Sequence, residues 1–453
     1  MTAATTATDP RVESCMRFLK DLLNRVRPRD FTIRCWDGAT WEPDAGQVAR
    51  FTWVITHPGS VRNMFWPPKP NSIGEAFVFG EFEIEGDFAA FCEVLARLDT
   101  VYDTLTLLQK LRLGWQLWWL PRVDQPRMGR PPSQLSGGLH SRARDRQAIS
   151  FHYDQSNEFF ASFLGPEMVY TCAIFADANE PLAVAENRQF ELICRKLRLK
   201  PGERLLDIGC GWGGLVVYAA KHYGVHAVGV TLSERQAEWA RDKIRAEGIE
   251  GRCRIDLIDY RDIDERQAFD KITTIEAMEH FGASQFAAYF QKCWRVLRPQ
   301  GSMLVQQITL KDPAVLTPST RAQIQAFIFP DGQLVSVPYT LSEAEKAGFE
   351  VRDVESFREH YVLTLDHWLH TLETRRDDAI RAIDEAAYRN FRLFLAGARR
   401  MFAQNLHNLH QMLFAKSHPA ESGYPLDCHD WYTNELQGVA SRDWRVDQRA
   451  ARQ

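Results

Sequence analysis

The chain has 453 residues, a quarter of them charged, with a formal net charge of −4. That length exceeds what one hydrophobic core usually supports, so two domains are expected, and the balanced charge argues against a nucleic-acid partner. No apolar run reaches the ~20 residues that span a bilayer, and the nine cysteines form neither a Cys-x-x-Cys pair nor a Cys/His cluster at zinc spacing, which suits a reduced, metal-free intracellular protein.

Residues 1–10 are small and polar and lack the apolar core of a signal peptide, in keeping with a cytoplasmic location. Residues 1–120 read as a small α+β domain. Apolar residues recur at helical spacing over 12–26. Phe31, Ile33 and Cys35 alternate with polar neighbours and run into Asp37-Gly38, a hairpin turn. Segments 51–55 and 76–84 read as strands, and Asp87 as the cap of a helix ending near Leu98. Residues 105–120 carry Leu108, Leu111, Trp115, Trp118 and Trp119 on a helix with two readings. It either packs on its own domain or lies in a membrane interface, where tryptophan sits at headgroup level and Arg112 and Arg122 meet anionic lipid.

Residues 121–148 read as a linker, with Pro121, Pro126, Pro131, Pro132, Gly137 and Gly138. Arginines 122, 127, 130, 142, 144 and 146 face only Asp124 and Asp145 there, so the segment is either a solvated tether or a strap facing membrane or substrate phosphate. From 149 to 415 strands and helices alternate. Strands are expected at 205–207, 226–230, 254–258, 271–275 and 303–308; helices are expected at 214–222, 284–296 and 233–247, the last capped by Ser233. This is the rhythm of a doubly wound, Rossmann-like α/β sheet, which binds its ligand at the carboxyl ends of the strands. A long helical stretch, 363–413, and a polar, loosely ordered tail, 416–453, complete the chain.

The most informative segment is 203–215. An apolar run, Leu205 and Leu206, ends in Asp207 and a turn containing Gly209, Gly211, Gly213 and Gly214. Glycines at a strand-to-helix junction let backbone approach a nucleotide-like ligand. The Asp-x-Gly-x-Gly spacing differs from the dinucleotide fingerprint and suits the adenosyl and amino-acid parts of S-adenosylmethionine. After the next strand come Thr231, Leu232 and Gln236, placed for ribose hydroxyls; after the third, Asp259 and Tyr260 are placed to hydrogen-bond and stack an adenine.

Further segments join this one in order: Phe151-His152-Tyr153-Asp154, Met168-Val169-Tyr170-Thr171-Cys172, Glu276-Ala277-Met278-Glu279-His280, Phe327-Ile328-Phe329-Pro330 and His360-Tyr361. Together, from His152 to Phe414, they resemble the cyclopropane fatty acid synthase family of S-adenosylmethionine-dependent methyltransferases. The stretch 79–87 is faintly similar to sterol-carrier-type lipid domains. The resemblance implies a class I methyltransferase domain with helical insertions behind the smaller N-terminal one. It implies methyl transfer to a cis double bond of a phospholipid acyl chain, through a carbocation, to a cyclopropane. Tyr170 and Thr171 match cofactor contacts, and His152 and Tyr153 lie near the substrate and cofactor entrance. Phe327, Phe329 and Pro330 are candidates for the acyl channel.

In that family a bound bicarbonate is the base. The matching positions are Cys172, Glu279, the backbone at Ile308 and Tyr361, but the family's histidine is Gln306 here, and Glu276 stands where glycine is usual. These two departures are expected to belong together. The Glu276 carboxylate would take the place of bicarbonate as base, with Gln306 donating to it, and its pKa would rise beside Glu279. The alternative is that Glu276 points away and bicarbonate still binds. A methylene- or methyl-branched product, with a separate reductase as partner, is the second functional reading. A small-molecule N-methyltransferase and a catalytically dead lipid-binding regulator are further ones. The enzyme is expected to bind the inner face of the membrane peripherally, through the N-terminal domain, tryptophan helix and basic linker. Family members are often homodimers.

Overall fold

The computed structural model describes residues 9–123, 127–165, 167–312, 316–418 and 422–432. Residues 1–8, Asp124 and Pro126 of the linker, and 433–453 of the tail lie outside the described residues.

The first unit contains α1 (Pro10–Leu23), β1 (Phe31–Arg34), β2 (Thr40–Trp41), β3 (Phe51–Ile55), α2 (Ser60–Phe65), α3 (Ser72–Val78), β4 (Phe82–Gly86), α4 (Phe88–Thr104) and α5 (Leu107–Trp119). Its sheet has the order β2-β1-β3-β4. The Asp37-Gly38 turn joins β1 and β2 as an antiparallel pair. The expected strand at 76–84 is corrected: its first half is the end of α3, and only Phe82 onward pairs with β3. Gly80, at φ 77°, breaks the segment between them. Asp87 caps α4 by accepting the Ala90 N–H at 2.9 Å.

The linker is shorter than expected, because α6 (Arg142–Tyr153) starts inside it. It is not a solvated tether. Arg127 pairs with Glu75, Arg142 with Asp262 at 2.8 Å and Arg144 with Asp331 at 2.6 Å. Arg130 lies 3.8 Å from the Phe151 ring, and the Ser133 N–H donates to the Ala326 carbonyl.

The second unit continues with α7 (Asn157–Leu164), α8 (Leu182–Leu197), β5 (Arg204–Ile208), α9 (Gly214–Tyr223), β6 (His226–Thr231), α10 (Glu234–Glu247), β7 (Cys253–Leu257), β8 (Phe269–Ile275), α11 (Phe286–Val296), β9 (Leu297–Leu310), α12 (Pro318–Phe327), α13 (Val337–Lys346), β10 (Glu350–Ser356), α14 (Arg358–Thr374), α15 (Arg376–Ala382), α16 (Glu385–Ala403) and β11 (His407–Ala415). The sheet order is β10-β11-β9-β8-β5-β6-β7, parallel from β9 to β7. It is a class I methyltransferase sheet, with β11 antiparallel between β9 and β10.

The helix expected through 413 is therefore wrong in its last part. Asn405, at φ 55°, ends α16, and Met412 to Ala415 is buried on both faces of the sheet. Over Met412 to Ala415 the strand is covered on both sides and apolar, so it carries no period-2 signal there. The tail also departs from expectation: Trp431 is buried against the Lys196 ammonium, and Arg198 pairs with Asp430 at 2.6 Å.

The core of the first unit, around Phe31, Trp53, Phe77 and Phe91, takes in Leu393 and Ala396 from α16. Arg389 on the same helix donates to the Phe77 and Phe82 carbonyls and pairs with Glu83. Helix α16 thus packs on both units, and α12 adds contacts such as the Thr317 hydroxyl donating to Asp99 at 2.8 Å.

Candidate active site

The carboxyl ends of β5, β6, β7 and β8 surround one pocket, lined by Asp207, Gly209, Gly211, Thr231, Leu232, Gln236, Asp259 and Tyr260, with Tyr170 and Thr171 from the loop before α8. Sequence distance between these positions is bridged by parallel pairing, which aligns the strand ends. Gly209, at φ 81°, has no room for a side chain, since a Cβ there would lie 2.4 Å from Ala277 Cβ. At Gly211, φ 54°, a Cβ would meet only Gln236 Nε2, at 4.0 Å, so bare backbone faces the pocket. Gly213 does not line it; this glycine packs against Ala240 at the start of α9, and Gly214 reaches the pocket instead.

Several of these lining residues also have partners within the protein. The Asp259 carboxylate, placed for an adenine, accepts two Arg261 guanidinium bonds and the Arg261 N–H. Burial would raise its pKa, but these bonds outweigh burial and hold it below the usual value. Tyr260 lies with its ring 4.9 Å from Phe281. Thr231 donates to Gln236 Oε1 at 2.9 Å, so these two brace each other. Asp207 accepts the Thr273 hydroxyl at 2.7 Å, and burial pushes its carboxyl up to about 7. The Tyr170 hydroxyl is buried without a protein partner. A glycine cradle, a buried acid and an unpartnered hydroxyl fit S-adenosylmethionine, whose amino-acid and adenosyl groups need polar and flat contacts together.

Beyond this pocket two carboxylates lie side by side after β8. Glu276 sits at φ 51°, a backbone conformation that side chains resist. Its Oε1 accepts the Thr171 hydroxyl, the Cys172 N–H at 3.2 Å and Gln306 Nε2 at 3.0 Å, and its Oε2 accepts the Tyr361 hydroxyl at 2.7 Å. Burial raises its pKa, opposed by these four donors. Glu279 accepts the Ile308 N–H at 2.6 Å, while its other oxygen is buried and unpartnered. Burial first, and the Glu276 charge second, push it up to about 8.

Cys172 reaches this centre only through its backbone, because its thiol points at the Ala173 and Phe357 carbonyls. Thr171, expected as a cofactor contact, lines the pocket but gives its hydroxyl to Glu276. Gln411 on β11, which sequence reasoning placed in a helix, donates to Gln306 Oε1 at 2.9 Å and so orients its amide. His280, burial holding it near 4 and hence neutral, shares a hydrogen bond between its Nε2 and the Tyr153 hydroxyl at 3.1 Å. His152 is a packing residue. It donates from Nδ1 to the Ile328 carbonyl at 3.0 Å, and burial holds it well below its usual pKa.

A second, mostly apolar cavity starts at these carboxylates. Tyr153, Tyr170, Glu276 and His280 belong to both cavities. Its walls include Ile308, Phe329, Leu365, Trp368 and Phe394 from the second unit, and Ile73, Leu95 and Ala96 from the first. Phe329 lies on it, whereas Phe327 and Pro330, expected beside it, are not among its lining residues. The part played by the first unit had no signal in the sequence, since Ile73 and Leu95 read as ordinary core positions.

A parallel sheet carrying this pocket at its strand ends defines an S-adenosylmethionine-dependent methyltransferase. The family model described as mycolic acid cyclopropane synthetase matches residues 140–412. A probable fatty acid methyltransferase of Pseudomonas putida is 34% identical over 386 residues, covering 85% of this chain and 91% of its own. A cyclopropane synthase from Mycobacterium tuberculosis superposes with a TM-score of 0.58 at 31% identity, over 59% of this chain and 97% of its own. A mycolic acid cyclopropane synthase complexed with SAH and CTAB gives 0.57 at 33%, with the same coverage. The chain belongs to the cyclopropane synthase family, whose members methylate lipid and fatty acid chains with S-adenosylmethionine.

Proposed function

We propose that this enzyme methylates a cis double bond within the acyl chain of a phospholipid, and that Glu276 takes the proton that ends the reaction. One observation carries the reading. The Glu276 carboxylate is held by the Cys172 N–H, Gln306 and Tyr361, residues at which the family resemblance places a bicarbonate, with Thr171 as a fourth donor. A protein carboxylate standing there makes an added anion superfluous. An apolar cavity opening onto the same carboxylate suits an acyl chain, and a relative of this family was obtained with the long-chain amphiphile CTAB.

S-adenosylmethionine, when bound, supplies a methyl group activated by its sulfonium charge. An alkene has no proton to lose before attack, so the protein's task is to shelter the cation left by methyl transfer and to deprotonate it. Apolar walls exclude water from the alkyl cation, and the Tyr170 and Trp368 rings with the Glu276 charge offset it. Loss of a proton from the transferred methyl group to Glu276, with its electron pair closing onto the cationic carbon, gives a cyclopropane. The lipid gains CH2 and the carboxylate gains a proton. Glu279 accepts the Ile308 N–H beside it and stays neutral near pH 7, which spares Glu276 a second adjacent charge.

A second reading is a methylene branch, favoured by the four donors on Glu276. They weaken it as a base, which leaves time for a hydride to shift and move the cation to the methyl-bearing carbon. Loss of a methyl proton from that cation gives a methylene group, which a separate reductase would saturate. Proton NMR of lipid recovered from enzyme, S-adenosylmethionine and mono-unsaturated phospholipid vesicles tests both. Upfield ring-methylene signals establish the first product and vinylidene signals the second. No turnover on any unsaturated phospholipid sinks the proposal.

A further inference from the structure

Helix α5 is held to the first unit by a narrow edge. Among its described residues Leu117 is buried, whereas Leu107, Leu108, Leu111, Trp115, Trp118 and Trp119 are between 52% and 78% exposed. Scattered exposed apolar residues are ordinary, but six on one short helix are not.

The face is rigid. The buried Arg62 guanidinium donates to the Leu117 and Trp118 carbonyls at 2.8 and 2.9 Å, closing the end of α5. It lies 5.6 and 5.9 Å from the Trp66 and Trp118 rings, which pack edge to face at 6.0 Å. The opposite edge is anchored by Asp21, which accepts from Arg112 at 2.8 Å and Gln116 at 2.7 Å. Cations flank the indoles: Arg122 stands 5.1 Å from the Trp118 ring, and Lys110 stands 4.7 Å from the half-exposed Tyr102 ring.

We infer that this face of α5, with Trp66, is the surface on which the enzyme docks to the headgroup zone of a phospholipid bilayer. Indoles with a wet edge and an apolar body suit that zone, and Arg122 and Lys110 would meet lipid phosphates there. A seam between two copies would strip the same cations of water without such partners. The position agrees. Leu95, Ala96 and Asp99 of α4 line the acyl cavity, and α4 ends at Thr104, just before α5 begins at Leu107. Beyond Arg122 the basic linker faces inward, with Arg127, Arg130, Arg142 and Arg144 engaged within the protein. This inference rests on the proposed lipid substrate only for the choice of surface.

The test is co-sedimentation of the full-length protein with vesicles of phosphatidylcholine containing about one third phosphatidylglycerol. The comparison is a variant combining Leu111→Ser, Trp115→Ser and Trp119→Ser. Wild type should sediment, and the variant's partition should fall about a hundredfold, given the interfacial apolar area removed. S-adenosylmethionine affinity by calorimetry should be unchanged, which shows the variant folded. Equal sedimentation of both proteins would overturn the inference. So would wild type that ignores the vesicles, or a wild-type dimer that the variant converts to monomer in light scattering. None of these readouts needs turnover, so a failed activity assay leaves the test standing.

Discussion

At Glu276 the side chain and the backbone disagree. A non-glycine residue at φ 51° costs about 1 kcal/mol, and outliers of this kind gather at functional sites. This φ suits glycine, and the glutamate is held in it by four hydrogen bonds. Glu276→Gln should lower kcat by about 10²–10⁴ while leaving cofactor affinity within about threefold, and added bicarbonate should not stimulate the wild type. The double variant Glu276→Gly, Gln306→His should regain turnover only when bicarbonate is added; full bicarbonate-independent activity in either variant would remove Glu276 from the role of base. The neighbouring Glu279 titrates near 4.5 when unfolded and about 8 when folded. Between those values the folded state holds a proton that the unfolded state has lost, so stability falls as pH rises. Asp207, pushed up to about 7, adds to the same slope. Buried neutral His280 and His152 oppose that slope below about pH 6.5, so the Tm of the cofactor-free enzyme should decline between about pH 6.5 and about pH 8, and Glu279→Gln should flatten the decline. An unchanged slope in that variant would show that Glu279 is ionised in the folded protein.

At the scale of single elements, α16 connects stability with substrate choice. It carries Leu393 and Ala396 into the core of the first unit, and Phe394 and Gly397 onto the acyl cavity. A Cβ at Gly397 would meet nothing within 4 Å. Glycine inside a helix costs about 1 kcal/mol relative to alanine. Gly397→Ala should therefore raise stability by about that amount, measured by urea unfolding. Gly397→Phe should fill the cavity and shift turnover toward shorter acyl chains, read by mass spectrometry on a chain-length mixture. An unaltered profile would place the acyl chain elsewhere. Strands β5 to β8 and their turns were readable in the sequence because the signals are local: an apolar run into a glycine turn after β5, and an apolar run into a helix capped by Ser233 after β6. The insertion of β11 was not readable. Its partners lie at Ser302 to Leu310 on one edge and Glu350 to Ser356 on the other, both far along the chain, and its apolar residues resemble a buried helix when read alone.

On the scale of the whole molecule, the two sheets share α16, and the ion pair and carbonyl contacts of Arg389 cross between them. Calorimetry should show one cooperative unfolding transition rather than two. Arg389→Ala should lower the midpoint by taking the guanidinium from Glu83 and from the buried Phe77 and Phe82 carbonyls, a loss of about 1–3 kcal/mol. Two well-separated transitions in the wild type would show that the interface is too weak to couple the units.

By itself the sequence determined the methyltransferase sheet and the cofactor turn, because these depend on residue type and short spacing, while the pairing of Glu276 with Gln306 was implied by the resemblance to the family. Only the tertiary structure decided what those side chains do. It turned the Cys172 thiol away and gave its N–H to Glu276, committed Asp259 to Arg261, and brought Gln411 behind Gln306. It also made Ile73 and Leu95 of the first unit into walls of the acyl cavity. Such outcomes depend on which distant segments pack together, and hydrophobic burial, which drives that packing, carries no direction along the chain.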